Sequence, residues 1–478
     1  KEIVVSSTDT WGDQEAVYSF YLPEGGVATS LSLWIEGVEQ PARLTTKGKA
    51  DSAYVEIVGV ERRDPALMHW QEGNRLSVTV FPVPAGKSRR FKIGISVPLS
   101  GKEGVLHLGE IPFDGPDVSE VYAETQLSWG EARPADLEVP FSWYESDDMI
   151  GYQGSYVPNW RVSFEASELA DGVFSFGEHS YQLQPTPWQQ EDFVAKEIIL
   201  DLNAAWNWWE VESVWEQVQD HPVYAYVPGR VRVTEKNLWA VFQSCKDWQF
   251  SLIPLHRFPN PAQTLVVSHS PEQSPLLSDL EGSQYALNLQ TYLSELPSPV
   301  RWYHLDREVS PLLRSLKELR LVSFAAGSVE KLGQLLEQEQ FPVVPESPDL
   351  IQVPGTDFSI RRSATAEAVV EAPDHVMRFF TYQQLLRDIG PLYFEKEAME
   401  DRWLRQAEEG FVVSPVSSLV VLESQVDYER FGIEENEGTL GNATFSGNGS
   451  VPEPHEWLLI GLIALVVIGT FTKQRLGL

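Results

Sequence analysis

Lys196-Glu197-Ile198-Ile199-Leu200-Asp201-Leu202-Asn203-Ala204-Ala205 is the stretch on which the fold turns. A short apolar run without alternation, ending at a carboxylate, reads as a strand buried on both faces. A helix-like stretch follows over 206–218. The alternation then repeats. Strands are expected over 223–227, 263–268 and 299–305, and helices over 237–245 and 311–319. Strands alternating with helices predict a parallel, doubly wound sheet.

Upstream the pattern changes. Residues 16–22, 31–35, 76–81 and 91–95 are short, partly alternating apolar runs, and Pro82 with Pro84-Ala85-Gly86 closes the third. Short strands with frequent turns predict an all-β sandwich. Residues 104–190 continue as β structure and loops without a motif, with strands at 173–176 and 181–183. Downstream, a proline-rich stretch over 341–354 precedes a helical pattern through Arg387, an acidic helix over 395–409, and the apolar run 411–423.

The chain has 478 residues, 42% hydrophobic and 11% aromatic, enough to build sizeable cores and to argue against wholesale disorder. With 36 basic and 69 acidic side chains its net charge is −33, which repels phosphate backbones and sets nucleic-acid binding aside. Basic partners and divalent cations stay open. Cys245 is the single cysteine, so no intrachain disulfide forms, and its apolar setting reads as a core position.

The tail is distinct. Residues 437–450 are rich in Gly, Asn, Ser and Thr and read as a flexible spacer containing two glycosylation sequons, at Asn442 and Asn448. An uncharged apolar run over 457–471 follows, about 22 Å long as a helix. Thr472 and the stems of Lys473 and Arg475 extend it toward the ~30 Å hydrocarbon core. One C-terminal transmembrane helix is expected, anchored by Trp457, Phe471, Lys473 and Arg475, with the lipid bilayer as a partner. The charge bias puts Leu478 in the cytoplasm and the bulk of the chain outside. The chain starts at Lys1 without an apolar leader, so either a signal peptide has been removed or the sequence begins inside a longer precursor.

Several resemblances follow from these residues. Pro452-Glu453-Pro454, the apolar run and a short basic end resemble a PEP-CTERM sorting signal. That resemblance implies an exosortase as partner, with the large domain extracytoplasmic at a bacterial inner membrane and placed at the cell surface after sorting. Arg62-Arg63-Asp64-Pro65, Gly73-Asn74-Arg75-Leu76 and Val80-Phe81-Pro82-Val83-Pro84, in that order, resemble the VIT domain of inter-alpha-trypsin heavy chains. It implies a sandwich that adheres or scaffolds. Arg62, Arg63 and Asp64 are read as a turn held by ion pairs.

The alternating region resembles a von Willebrand A domain, whose first strand ends in Asp-x-Ser-x-Ser and binds Mg²⁺. Here Asp201, Asn203 and Ala205 stand at those positions, and Ser268 stands where a later metal-site Asp is implied. A lone carboxylate does not easily displace the water that Mg²⁺ holds, so a degenerate site without metal or cofactor is expected. Ser414-Pro415-Val416-Ser417-Ser418-Leu419-Val420-Val421 resembles the segment that closes VIT-plus-A-domain proteins, and with the tail the chain resembles a VIT-domain protein of an MSEP-CTERM/XrtN-like exosortase system.

The expected fold class is therefore multidomain: an all-β VIT sandwich, then an α/β doubly wound von Willebrand A-like domain, then one transmembrane helix. The expected boundaries are 1–103, a β-rich connection 104–194, the A-like domain 195–340, a helical and strand region 341–433, the spacer 434–451 and the signal 452–478. No hydrolase, zinc-protease or nucleotide-binding motif stands where chemistry needs it. Ser268-His269-Ser270 does not make a relay, because neighbours on a strand point to opposite faces. Trp206, Trp208 and Trp209 are read as packing residues with partial exposure, with sugar stacking as the other reading. The expected function is non-enzymatic adhesion or scaffolding with a protein or polysaccharide partner. The alternative is an envelope carbohydrate-binding or carbohydrate-degrading protein.

Overall fold

Alternating burial builds the N-terminal strands. In the computed structural model the described residues are 1–435 apart from 8–11, 103, 117–121, 129–134, 139–143, 147–148, 167–168, 170–171, 177, 251, 271–272, 296–298, 306–307 and 365–373. The chain opens with β1 (Glu2–Ser6), β2 (Gln14–Tyr21), β3 (Val27–Ile35), β4 (Val38–Pro41) and β5 (Arg43–Thr46). Helix α1 (Lys47–Glu56) follows, then β6 (Ala66–Gln71), β7 (Arg75–Val83), β8 (Ser88–Ser96) and, later, β9 (Phe113–Asp114). In β2, Ala16, Tyr18 and Phe20 are buried and Val17 is exposed, the period of two that a strand imposes. One sheet runs β1-β8-β3-β4. Thr46 caps α1, its hydroxyl accepting from the Lys49 N–H at 3.2 Å.

The second half is the doubly wound sheet. Its elements are β10 (Glu197–Asp201), α2 (Trp208–Val218), β11 (Val223–Val227), β12 (Gly229–Arg232), α3 (Leu238–Cys245), β13 (Thr264–Ser268) and α4 (Gln284–Glu295). Then come β14 (Val300–His304), α5 (Pro311–Glu318), β15 (Val322–Ala326) and α6 (Val329–Gln338). The order is β12-β11-β10-β13-β14-β15, parallel except for the antiparallel edge strand β12. Both faces are covered, which explains the unbroken apolar runs. Ile198, Leu200, Leu265 and Val267 pack with Val211, Val214, Phe242 and Leu332 on one face. Ile199, Val266 and Trp302 join the opposite core, which also holds Phe20, Leu44, Phe91 and Phe380. That second core is continuous with the interior of the N-terminal sheets.

The chain then returns. After α7 (His375–Ile389) and α8 (Glu400–Gly410) comes β16 (Ser417–Val421), followed by α9 (Gln425–Arg430). Strand β16 enters the N-terminal region between β6 and β5, giving the order β9-β2-β7-β6-β16-β5. Among the described residues four smaller sheets follow, including one in which strand His179–Pro185 pairs with strand Phe358–Ser363.

The fold class inferred from sequence needs correction on these grounds. A self-contained all-β sandwich followed by a separate α/β domain is not what the chain forms. It is a mixed α/β structure with seven sheets among the described residues, and Lys1–Glu437 is one compact unit. The N-terminal sheet is completed by a strand more than three hundred residues away, because β5 and β6 alone would leave two unpaired edges. The expected membrane helix over 457–471 lies outside the described residues; among the described residues no helix is long and apolar enough to cross a membrane.

A buried polar lock joins the halves. Gly73 and Asn74 take positive φ in the turn between β6 and β7, and the Gly73 N–H donates to Glu318 Oε2 of α5 at 2.9 Å. Glu72, 2% exposed, accepts from the N–H of Leu277 at 2.6 Å, the N–H of Ser278 at 2.8 Å, the Ser315 hydroxyl at 2.9 Å and the Tyr393 hydroxyl. Trp70 Nε1 donates to Tyr382, whose hydroxyl donates in turn to Glu318. A buried carboxylate is tolerable only when its lone pairs are used in this way.

Candidate functional site at the C-terminal end of the parallel sheet

Strand β10 ends at Asp201, level with Ser268 at the end of β13. In a doubly wound sheet this crevice, where the strand order reverses, is where ligands bind. The loop after Asp201 is held by its own side chains. Asn203 is fully buried; its amide nitrogen donates to the carbonyls of Asp201 at 3.2 Å and His269 at 3.0 Å, and its amide oxygen accepts from the Ala205 N–H at 2.9 Å. Trp206 Nε1 donates to the same Asp201 carbonyl at 2.7 Å. Asn207 then starts α2 with a capping box to Glu210.

Ser268 is engaged as well. Its hydroxyl accepts from Trp302 Nε1 at 2.7 Å and lies 2.9 Å from His304 Nδ1. His304 Nε2 lies 2.9 Å from the Glu308 carbonyl, which makes it the protonated nitrogen and leaves Nδ1 to accept from Ser268. A Ser–His pair thus exists, with a partner 36 residues from the serine and not its neighbour His269. Spacing along one strand could not reveal it, since the two residues come from adjacent parallel strands. Ser268 is 1% exposed and His304 is fully buried, so the pair is closed off from solvent. His269 turns elsewhere, its Nδ1 lying 2.8 Å from the Ala205 carbonyl.

These contacts decide how well Asp201, Asn203 and Ser268 fit a cation. The side-chain oxygens of Asn203 and Ser268 are already satisfied by internal donors. A hard cation needs several oxygen ligands, and Mg²⁺ dehydrates reluctantly. The donor set does not fit it. Among the described residues no group of three or more His, Cys, Asp or Glu side chains could hold a metal ion.

A cavity of about 430 Å³ opens beside Asp201. Its wall includes Tyr226 at the end of β11, Cys245 at the end of α3, the aromatic side chains Trp248 and Phe250, His256 and Arg257 of the following loop, and Tyr285 of α4. The Cys245 thiol is buried, and burial together with Asp201 pushes it up to about 11, which keeps it a protonated thiol at neutral pH. Burial, with Arg257 adding to it, lowers His256, which is therefore neutral at pH 7. The Tyr226 hydroxyl and His256 Nδ1 are buried and make no hydrogen bond.

The tryptophans divide. Trp206 is a core residue, whereas Trp209 is 77% exposed and Trp239 is 54% exposed. Trp208 is half-buried, edge-on to Trp239 at 4.6 Å and packed on Phe242. In the N-terminal region Arg62 takes positive φ after the helical turn, Arg63 pairs with Glu61 and Asp427, and Asp64 pairs with Arg89 at 2.8 Å. Those three residues therefore hold a turn and tie α9 to it. The sorting residues Pro452, Glu453 and Pro454, and Trp457, Phe471, Lys473 and Arg475, lie outside the described residues.

Fold and site together define a mixed α/β protein in which β sheets share a core with a doubly wound sheet, and among the described residues the crevice of that sheet holds no group of three or more His, Cys, Asp or Glu side chains able to bind a metal ion. The family model of the vault protein inter-alpha-trypsin (VIT) domain matches residues 2–95, and the chain carries a VIT domain there. No curated protein matches the chain.

Proposed function

We propose that the chain is a non-enzymatic adhesion or scaffold protein of the bacterial cell envelope, a VIT domain joined to a degenerate von Willebrand A-like domain. The observation that carries this reading is the commitment of Asn203 and Ser268 to internal hydrogen bonds at the crevice where an A domain would bind its cation. Two further features support it. The sheet order, written by position in the chain, is 3-2-1-4-5-6 with an antiparallel third strand. The buried Ser268–His304 pair offers no exposed nucleophile.

Export and sorting by an exosortase are proposed on Pro452-Glu453-Pro454 and the apolar run behind it. The large unit then works on the extracytoplasmic side of the inner membrane and at the cell surface after sorting. Two measurements test the reading. Incubation of the protein with envelope polysaccharide should release no new reducing ends, and steady release would overturn the non-enzymatic assignment. Mass spectrometry of the C-terminal peptide from native cells should find a terminus near Pro454. Peptides that persist through Leu478 would overturn sorting.

A further inference from the structure

We propose that the cavity beside Asp201 binds an uncharged, hydroxyl-rich ligand of about one or two sugar rings, part of an envelope polysaccharide. The inference rests on the adhesion reading above and names what the module adheres to. A volume of about 430 Å³ falls within the usual ~300–1,000 Å³ of small-ligand sites.

The chemistry of the wall selects the class. Asp201 is buried in the wall and Arg257 is exposed, so one acidic and one basic side chain line the site and neither sign predominates in it. The other polar groups are neutral hydrogen-bonding groups. The Tyr226 residue is 9% exposed and its hydroxyl has no partner; His256 Nδ1 has none either, while His256 Nε2 lies 3.4 Å from the Asn288 amide. Leaving such groups unsatisfied is costly, and a ligand hydroxyl supplies both donor and acceptor. Trp248, Phe250 and Tyr285 complete the wall with flat apolar faces, which suit the C–H face of a pyranose ring.

A second observation extends the site outward. Trp239 lies on the same helix as Cys245, about 9 Å along its axis from that cavity residue. Trp239 contacts Trp208, whose neighbour Trp209 is the most exposed tryptophan among the described residues. Exposed indoles on α2 and on α3, the helix that ends at the cavity residue Cys245, offer further stacking faces to a polymer longer than the cavity's own occupant.

The test is saturation-transfer NMR and calorimetry of the full chain against neutral oligosaccharides of glucose and of N-acetylglucosamine. A uronic-acid oligosaccharide and free glutamate serve as charged probes. Saturable binding of a neutral oligosaccharide is expected, weakened at least tenfold in W248A. Tyr226→Phe removes only a hydroxyl that makes no bond within the protein, so it should keep the thermal midpoint and still weaken binding several-fold. W188A, which alters an exposed side chain outside this cavity, should bind as the parent does. Binding of charged probes alone, no binding of any neutral oligosaccharide, or neutral binding indifferent to both cavity variants would overturn the proposal. Binding accompanied by new reducing ends would leave this inference standing and overturn only the non-enzymatic reading.

Discussion

The Ser418 hydroxyl lies 2.6 Å from His69 Nδ1, although 349 residues of chain separate the two. His69 Nε2 in turn lies 2.8 Å from Asp51 of α1. The contact is possible because β16 is hydrogen-bonded on both sides, with Ser418 opposite His69 on β6 and opposite Thr45 on β5. The match of the VIT family to residues 2–95 therefore describes a region whose sheet is closed from elsewhere.

A chain ending at residue 410 should lose cooperative unfolding of the N-terminal sheets. Without β16, the edges of β5 and β6 are unpaired and the buried side chains Leu419 and Val421 are missing from the core. Thermal melts followed by circular dichroism check this, and a synthetic peptide of residues 411–423 added in trans should restore part of the transition. The milder Ser418→Ala should cost about 1 kcal/mol, the usual net worth of one hydrogen bond. A cooperative melt in the truncated chain would show that β16 is dispensable.

The lock at Glu318 should make stability depend on pH in a defined window. Burial pushes this carboxyl up to about 7 from 4.5, opposed by the Gly73 N–H and reinforced by Glu72. A raised carboxyl means that the native state holds the proton more tightly than the unfolded chain does. Its contribution is fully present below about 4.5 and is lost as pH rises toward 7. The loss is on the order of 3 kcal/mol. In Glu318→Gln the acceptor for Gly73 is kept and the titration is gone. The variant should gain stability on the parent as pH rises through this window, read by urea melts at several pH values. Parallel curves for the two proteins would rule the linkage out.

Asp427 works in the opposite sense. The hydrogen bonds from Arg63 and then Ser424 hold its carboxyl below the ordinary value. A depressed carboxyl contributes stability above its unfolded value, near 3.8, and loses it as pH falls. Arg63→Met should lower stability at neutral pH by about 1–3 kcal/mol, since it leaves a largely buried carboxylate without its guanidinium. The difference from the parent should shrink below pH 4. A deficit that persists unchanged at low pH would point to packing instead.

Calorimetric titration with Mg²⁺ should give no saturable heat. Ala205→Ser, which restores one side-chain oxygen, should not change that, because Asn203 and Ser268 remain tied to their internal partners. One-to-one binding by either protein would overturn the degenerate reading of the crevice.

Much of this was legible in the sequence because it is local. Ile198-Ile199-Leu200 shows no alternation because both of its faces are covered, so a buried strand can be read without coordinates. The helix after Asn207 announces itself by a cap and an apolar stripe over Val211, Val214 and Val218. The expectation of a degenerate cation site rests on Asp201, Asn203 and Ala205 as residue types, and the succession of Arg62 to Pro84 carries the VIT likeness. Tertiary structure alone decided which strands pair across hundreds of residues, since an apolar run states that it is buried but not against what. It placed β16 between β5 and β6, and it brought Ser268 to His304 and Gly73 to Glu318. It also enclosed the cavity beside Asp201 with side chains from β11, α3 and α4 and the loop between α3 and β13. Periodicity fixes the faces of each element; the choice of partner depends on the fit of whole surfaces, which no window of sequence contains.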